Sequence, residues 1–268
     1  SNDKKFTVFC IHGLCSDARI FNYLGSELSK NGINVISIDI LGHGKSEGKK
    51  GDPDFDQCLQ GINEIIEKYK SDSKVFILAH SMGSTFALWY ARQFKHVLDG
   101  IILMAPYIRI KTIKKRSNVE PNLLMFFNIL FRRIFTPSSK VSIAKILPGF
   151  VRYGGDEVLQ MLQDSELDFE YSYRYIIDVL ARRNDAISVL SSINIPLLIL
   201  HGKNDMNIFS KISEEFIKIV DSKDKTIQLT KSDHWFYDAI FYNQDSPKFS
   251  TYQRQQILKI ITSWILHH

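Results

Sequence analysis

Apolar runs and helical stripes alternate along the first hundred residues of the chain. Phe6-Thr7-Val8-Phe9-Cys10-Ile11 is a β-branched and aromatic run ending at His12-Gly13, and Asn34-Val35-Ile36-Ser37-Ile38-Asp39-Ile40 is a second. Both predict buried strands. Between them Asp17 can cap a helix with apolar positions Ile20, Phe21, Leu24 and Leu28, stopped by Asn31-Gly32. Residues 53–69 carry helical spacing at Phe55, Leu59, Ile62, Ile65 and Ile66, and Lys74-Val75-Phe76-Ile77-Leu78-Ala79 is the next strand. A helix from about Met82 to Phe94 leads to the strand Gly100-Ile101-Ile102-Leu103-Met104, after which the rhythm stops at Arg109.

The alternation resumes at Pro196-Leu197-Leu198-Ile199-Leu200, with a helix near 210–220, a strand Thr226-Ile227-Gln228-Leu229 and a closing helix over about 251–266. Strands that alternate with helices and read as continuous apolar runs imply a parallel sheet covered on both faces. The intervening residues 109–185 carry mainly helical patterns and interrupt the sheet. The expected organisation is therefore an α/β core from 1–108 and 186–268, with 109–185 inserted as a helical cap. A chain of 268 residues is long enough to bury one such core plus a modest insertion.

Composition changes little in this picture: 44% hydrophobic and 24% charged residues are ordinary for a globular protein, which sets aside disorder and disulfide scaffolds. No run approaches the roughly 20 apolar residues of a spanning helix, and no basic segment leads into an apolar one near the amino end. Cys10, Cys15 and Cys58 lack metal-ligand or redox spacing, so reduced thiols in a cytoplasmic protein are expected. The net charge of +5 is mild but uneven. Residues 109–152 hold ten Lys/Arg against the single acid Glu120, whereas 153–185 hold three basic against eight acidic residues.

The chemistry sits at strand ends. Ala79-His80-Ser81-Met82-Gly83 lies where a strand runs into a helix, the context a nucleophile elbow requires. Small residues two positions either side of Ser81 let strand and helix approach while the serine takes a strained turn, and Ala79 stands where glycine is usual. A serine hydroxyl is a weak nucleophile and needs a base, with a carboxylate to orient it. Asp205 follows the strand ending Leu200-His201-Gly202, and His234 follows the strand after it. Loops at the carboxyl edge of an open parallel sheet converge on one crevice, so Ser81, Asp205 and His234 can meet. His12, His80, His96 and His201 are read as structural, because none follows the last strand. Asp233 is set behind Asp205, since neighbours on an extended chain point opposite ways, and Asp39 is read as a helix cap or a loop brace. Backbone N–H groups of Leu14 and Met82 are the expected oxyanion donors.

Taken together, His12-Gly13, the loop from Asp39 through Gly42-His43-Gly44-Lys45-Ser46-Glu47-Gly48, His80-Ser81-Met82-Gly83, Asp205 and His234 resemble the α/β-hydrolase superfamily, particularly its monoacylglycerol lipase and lysophospholipase branch. The resemblance covers residues 6–104 and 195–266 and implies a serine hydrolase of carboxylic esters working through an acyl-enzyme, with no metal or organic cofactor. It implies a mostly parallel sheet of about six strands with helices on both faces. The antiparallel hairpin usual before the first strand is not visible, which implies either a six-strand minimal core, as in relatives resembling the hydroxynitrile lyase and methylesterase group, or an amino end that has been trimmed. A small-ester esterase, a carbon–carbon hydrolase or lyase, and a non-catalytic receptor are the competing readings on this fold.

Within the cap, 123–135 is strongly apolar, with Lys114, Lys115, Arg116, Arg132 and Arg133 around it. It suits a helix buried on the core, as such segments more often are, or a lid helix touching an anionic lipid surface over an apolar ester substrate. Phe86, Trp89, Trp235 and Phe236 are read as packing residues and not pocket walls. The basic cluster carries no recognition motif, so nucleic acid is not expected as a partner.

Overall fold

The computed structural model describes residues 6–94, 97–110, 113, 117–118, 122–153, 163–164, 167, 169–190, 193–236 and 251–268. Six strands, β1 (Phe6–Ile11), β2 (Ile33–Ile38), β3 (Lys74–His80), β4 (Gly100–Met104), β7 (Leu197–Gly202) and β8 (Lys225–Thr230), form one sheet in the order β2-β1-β3-β4-β7-β8. Every neighbouring pair is parallel. Strands β4 and β7 are buried along their whole length, as their unbroken Ile/Leu runs require of central strands covered on both faces.

Helices cross between the strands as the apolar spacing predicts. Asp17 does cap the first crossover, but its opening turn Ala18–Phe21 is a 3-10 helix that continues into α1 (Asn22–Lys30). In α2 (Phe55–Tyr69), Phe55, Cys58, Leu59, Ile62 and Ile66 form the buried stripe, and the Asp54 carboxylate accepts from the Asp56 and Gln57 N–H groups at 3.0 Å. Such a cap contributes about 1 kcal/mol by satisfying donors the helix cannot. Helix α3 (Gly83–Gln93) is buried at eight positions and runs through the centre of one layer. Helices α9 (Lys211–Ile219) and α10 (Thr251–His267) complete the layers.

Between β4 and β7 lie α4 (Leu123–Phe135), β5 (Lys140–Ser142), α5 (Ile143–Ile146), α6 (Pro148–Tyr153), β6 (Glu170–Ser172), α7 (Tyr173–Asn184) and α8 (Ala186–Leu190). The insertion is not wholly helical, because β5 and β6 pair antiparallel, Lys140 opposite Ser172. This short ladder is anchored to the core: Ser172 N–H donates to the Gly51 carbonyl at 2.8 Å, and Arg174 pairs with the buried Asp52 carboxylate at 2.9 Å. Helix α7 packs on α2, α3 and α4, and α8 packs on α3.

Helix α4 departs from the burial reading. Only Ile129 is fully buried, with Met125 packed partly against the core, while Leu124 is 81% and Ile134 67% exposed. The physical reason is its excess of apolar positions: the inward stripe uses residues 125 and 129, and apolar residues occupy the outward face as well. Among the described residues no helix is long and apolar enough to cross a membrane. His96, Lys114, Lys115, Arg116 and Glu120 lie outside the described residues.

Candidate active site

Ser81 occupies the turn between β3 and α3 with φ +51°, a left-handed conformation uncommon for a residue with a Cβ. The surroundings hold it there: Ser81 N–H donates to the Met104 carbonyl at 2.9 Å, and its own carbonyl accepts from Ser84 N–H at 3.0 Å and Tyr107 N–H at 3.1 Å. Gly83 explains the small residue after the serine. A Cβ there would collide with the Ile11 carbonyl oxygen and meet the His12 carbonyl oxygen at 2.6 Å, so a side chain would push α3 away from β1.

The loops after β7 and β8 are stitched to each other. Lys203 N–H donates to the Thr230 carbonyl at 2.9 Å, Asn204 N–H to the Ser232 carbonyl at 3.2 Å, and the Asn204 side-chain amide to the Lys231 carbonyl at 2.7 Å. Gly202 permits the approach, since a Cβ would strike the Ser232 backbone. As a result His234 Nδ1 stands 2.8 Å from Asp205 Oδ2 and His234 Nε2 stands 3.0 Å from Ser81 Oγ. Ser81, His234 and Asp205 thus form one hydrogen-bonded chain. An ionised carboxylate only accepts, so Nδ1 carries the imidazole proton and Nε2 is left to accept from the serine hydroxyl.

Asp205 is buried and heavily satisfied. Its Oδ1 accepts from Asn207 N–H at 2.8 Å and Ile208 N–H at 2.7 Å, and its Oδ2 is shared by His234 and by His201 Nε2 at 3.1 Å. Burial pushes the carboxyl pKa up, but attraction to His234 and the hydrogen bonds from His201 and His234 outweigh it, leaving Asp205 well below the usual carboxylate range. His201 Nε2 also faces the Ile208 carbonyl at 2.9 Å, which fixes the proton on Nε2 and leaves Nδ1 to accept from Ser213 Oγ at 2.6 Å. Sequence reasoning gave His201 a structural role and missed its bond to the acid. The signal was the four-residue separation of His201 and Asp205 across a strand end.

The other candidates have different duties. His12 Nε2 accepts from Ile40 N–H at 3.1 Å, and burial lowers its pKa to about 4. His80 Nε2 donates to the His234 carbonyl at 2.9 Å, and burial, followed by the neighbouring His234, lowers its pKa to about 3. Both rings are neutral at pH 7, so His80 can hold the backbone of His234 without placing a second charge beside it. Asp39 braces its loop, accepting from Ala18 N–H and Lys45 N–H at 2.7 Å each. Asp233 accepts from Trp235 N–H at 3.0 Å within its own turn. Among the described residues no acceptor is found for the Leu14 or Met82 backbone N–H, and both residues border the cavity above Ser81.

That cavity is walled from the core side by Met82, Tyr107 and Trp235 and from the inserted segment by Ile129, Ile146 and Phe150. Trp235 is therefore a pocket wall, contrary to its reading as packing, because the turn carrying His234 swings its ring over the crevice, where it meets Phe150 edge-on at 5.7 Å. Phe86 does pack, stacking on Phe55 at 4.3 Å. Among the described residues no three His, Cys, Asp or Glu side chains are placed to hold a metal ion.

The family model described as serine aminopeptidase, S33, matches residues 2–233. The chain belongs to this family of α/β-hydrolases. The relatives resembling this hydrolase include a monoglyceride lipase homolog of Monkeypox virus, 28% identical over 206 residues covering 75% of this chain and 71% of the viral one. A monoglyceride lipase of Saccharomyces cerevisiae is 26% identical over 249 residues, covering 85% of this chain and 77% of the yeast one. Among solved structures, the Paleococcus ferrophilus monoacylglycerol lipase superposes with a TM-score of 0.79 at 23% identity, over 98% of this hydrolase and 94% of the other chain, which shows a shared fold.

Proposed function

We propose that the chain is a serine hydrolase of lipid-like carboxylic esters of the monoacylglycerol or lysophospholipid type. The observation that carries this reading is the hydrogen-bonded chain from Asp205 through His234 to Ser81, opening into an otherwise largely apolar cavity beneath the inserted segment. Ser81 Oγ attacks the ester carbonyl while His234 Nε2 takes its proton, and Asp205 stabilises the resulting imidazolium. Leu14 and Met82 N–H groups receive the negative oxygen of the tetrahedral intermediate. Collapse breaks the ester bond, His234 returns the proton to the leaving alcohol, and a water activated by the same ring then releases the acid from Ser81.

In this reading residues 109–185 form the cap, and the acyl chain replaces water against its apolar wall at about 25 cal/mol per Å² buried. The outward face of α4, with Leu124, Phe127, Phe131 and Ile134 exposed and Arg132 at its end, rests on an anionic lipid surface from which substrate enters. Hydrolysis of long- against short-chain esters, with and without anionic vesicles at low and high salt, tests the scheme. Long chains should react faster, and vesicles should raise the rate more at low salt. Equal rates for all chains with no effect of vesicles would favour a small-ester esterase instead.

A further inference from the structure

Asn207 is out of keeping with the cavity it borders. Its residue exposure is 1%, and neither side-chain Oδ1 nor Nδ2 has a hydrogen-bond partner among the described residues. Yet it lines the same cavity as Ser81 and His234, whose other walls are largely apolar. Buried polar atoms in native proteins are paired as a rule, and an amide left unpaired beside a substrate cavity points to a partner that arrives with the substrate.

The backbone leaves this amide little freedom. Asn207 N–H donates to Asp205 Oδ1 at 2.8 Å, and its carbonyl accepts from Asn118 N–H at 3.0 Å. The Asn118 side chain adds a bond to the Met206 carbonyl at 2.6 Å, and residues Ser117 and Ile208 form a β-bridge. The start of the inserted segment is thereby sewn to the loop that carries the acid. Asp205 Oδ1 accepts from the Asn207 backbone N–H while Oδ2 holds His234, so both residues are fixed to one carboxylate and border one cavity with Ser81. A leaving oxygen in that cavity must collect its proton from His234 Nε2.

We infer that Asn207 binds the free hydroxyls of the alcohol half of the ester, so the site selects esters of a neutral polyol. This inference rests on the hydrolase reading above and narrows its substrate class. The chemistry follows from the amide's inventory of one acceptor oxygen and two donor hydrogens without charge. A hydroxyl both donates and accepts, and a vicinal diol can satisfy Oδ1 and Nδ2 at once. A phosphate can only accept from Nδ2, so a lysophospholipid must pair Oδ1 through its one remaining glycerol hydroxyl, whereas a simple alkyl alcohol, having no free hydroxyl once esterified, leaves both atoms unpaired. A monoacylglycerol, with two free hydroxyls, is therefore preferred to a methyl ester of the same acyl chain.

The test compares kcat/KM for the monoacylglycerol, the lysophospholipid and the methyl ester of one acyl chain, presented in one neutral detergent, for the full chain and for Asn207→Leu. The leucine is close in volume and removes both polar atoms. The ratio of monoacylglycerol to methyl ester turnover should fall by about 10- to 100-fold in Asn207→Leu, the size expected for a buried hydroxyl left without its partner. The unliganded variant should melt no lower than the parent, because no described residue pairs with that amide. An unchanged ratio, or a lowered Tm with equal losses on both esters, would overturn the inference. Should Asn207→Leu fail to fold, Asn207→Ser, which keeps a donor and an acceptor, must retain the preference for the polyol ester, and its loss would also overturn it. Failure of the parent to hydrolyse any of the three esters would instead remove the hydrolase reading itself.

Discussion

Replacing Asp205 by asparagine changes a single atom's capacity and should disable the site. The carboxylate takes four donors: Asn207 and Ile208 N–H on Oδ1, and His234 and His201 on Oδ2. In Asp205→Asn the one remaining oxygen stays with the two backbone N–H groups at 2.8 and 2.7 Å, so the NH2 turns toward the histidines. His201 can keep its proton on Nε2, because the Ile208 carbonyl lies 2.9 Å away. His234 has no such alternative among the described residues. It must accept at Nδ1 and carry its proton on Nε2, which faces Ser81 Oγ at 3.0 Å and can no longer take the serine proton. Loss of the correct tautomer and of the charge that stabilises the imidazolium costs about 10⁴-fold in kcat, or about 5 kcal/mol of barrier. Single-turnover hydrolysis of a nitrophenyl ester measures this directly, with Asp233→Asn as the control expected to stay within about threefold of the parent, since Asp233 serves its own turn. Turnover of Asp205→Asn within tenfold of the parent, or a crippled Asp233→Asn, would refute the assignment.

Two further expectations concern backbone fit and pH. Gly83→Ala places its Cβ against the Ile11 and His12 carbonyl oxygens and should lower both Tm and turnover, whereas Gly61→Ala, with open space around it in α2, should stabilise by about 0.5–1 kcal/mol; equal melting temperatures for the two variants would contradict this. His12 and His80 have folded pKa values of about 4 and about 3 against an ordinary 6.5, so below pH 6.5 the unfolded chain binds protons that the folded chain refuses, and stability falls as pH drops toward 4. The slope approaches about 1.4 kcal/mol per pH unit for each histidine. Urea midpoints between pH 7 and pH 5 should fall accordingly, less steeply in His12→Gln, and a flat curve for the parent would show that these rings are not buried neutral.

The sheet was legible because each central strand is an unbroken apolar run that only two-sided burial explains, and each crossover helix carries a stripe at helical spacing. The predicted span 100–104 is observed without change as β4, and the 53–69 helix starts two residues later because Asp54 serves as its cap. The meeting of Ser81, Asp205 and His234 followed from strand-end loops sharing one edge. What stayed hidden depends on contacts with no local periodicity. His201 bonding the acid, His80 holding the His234 carbonyl and Asn207 facing the cavity each require knowing how two loops sit against each other. The 123–135 segment misled for a related reason: apolar positions on all sides read as burial, yet only one inward stripe finds a partner among the described residues.

The central claim is that Ser81 is an activated nucleophile. Labelling the full chain with a fluorophosphonate probe, and locating the adduct by peptide mass spectrometry, tests it most directly. The predicted result is a single adduct on Ser81, absent from Ser81→Ala and strongly slowed in His234→Ala, with ester turnover in both variants reduced by several orders of magnitude while the fold is kept. An unlabelled Ser81 in the folded chain, or Ser81→Ala retaining more than about a tenth of parental turnover, would contradict it.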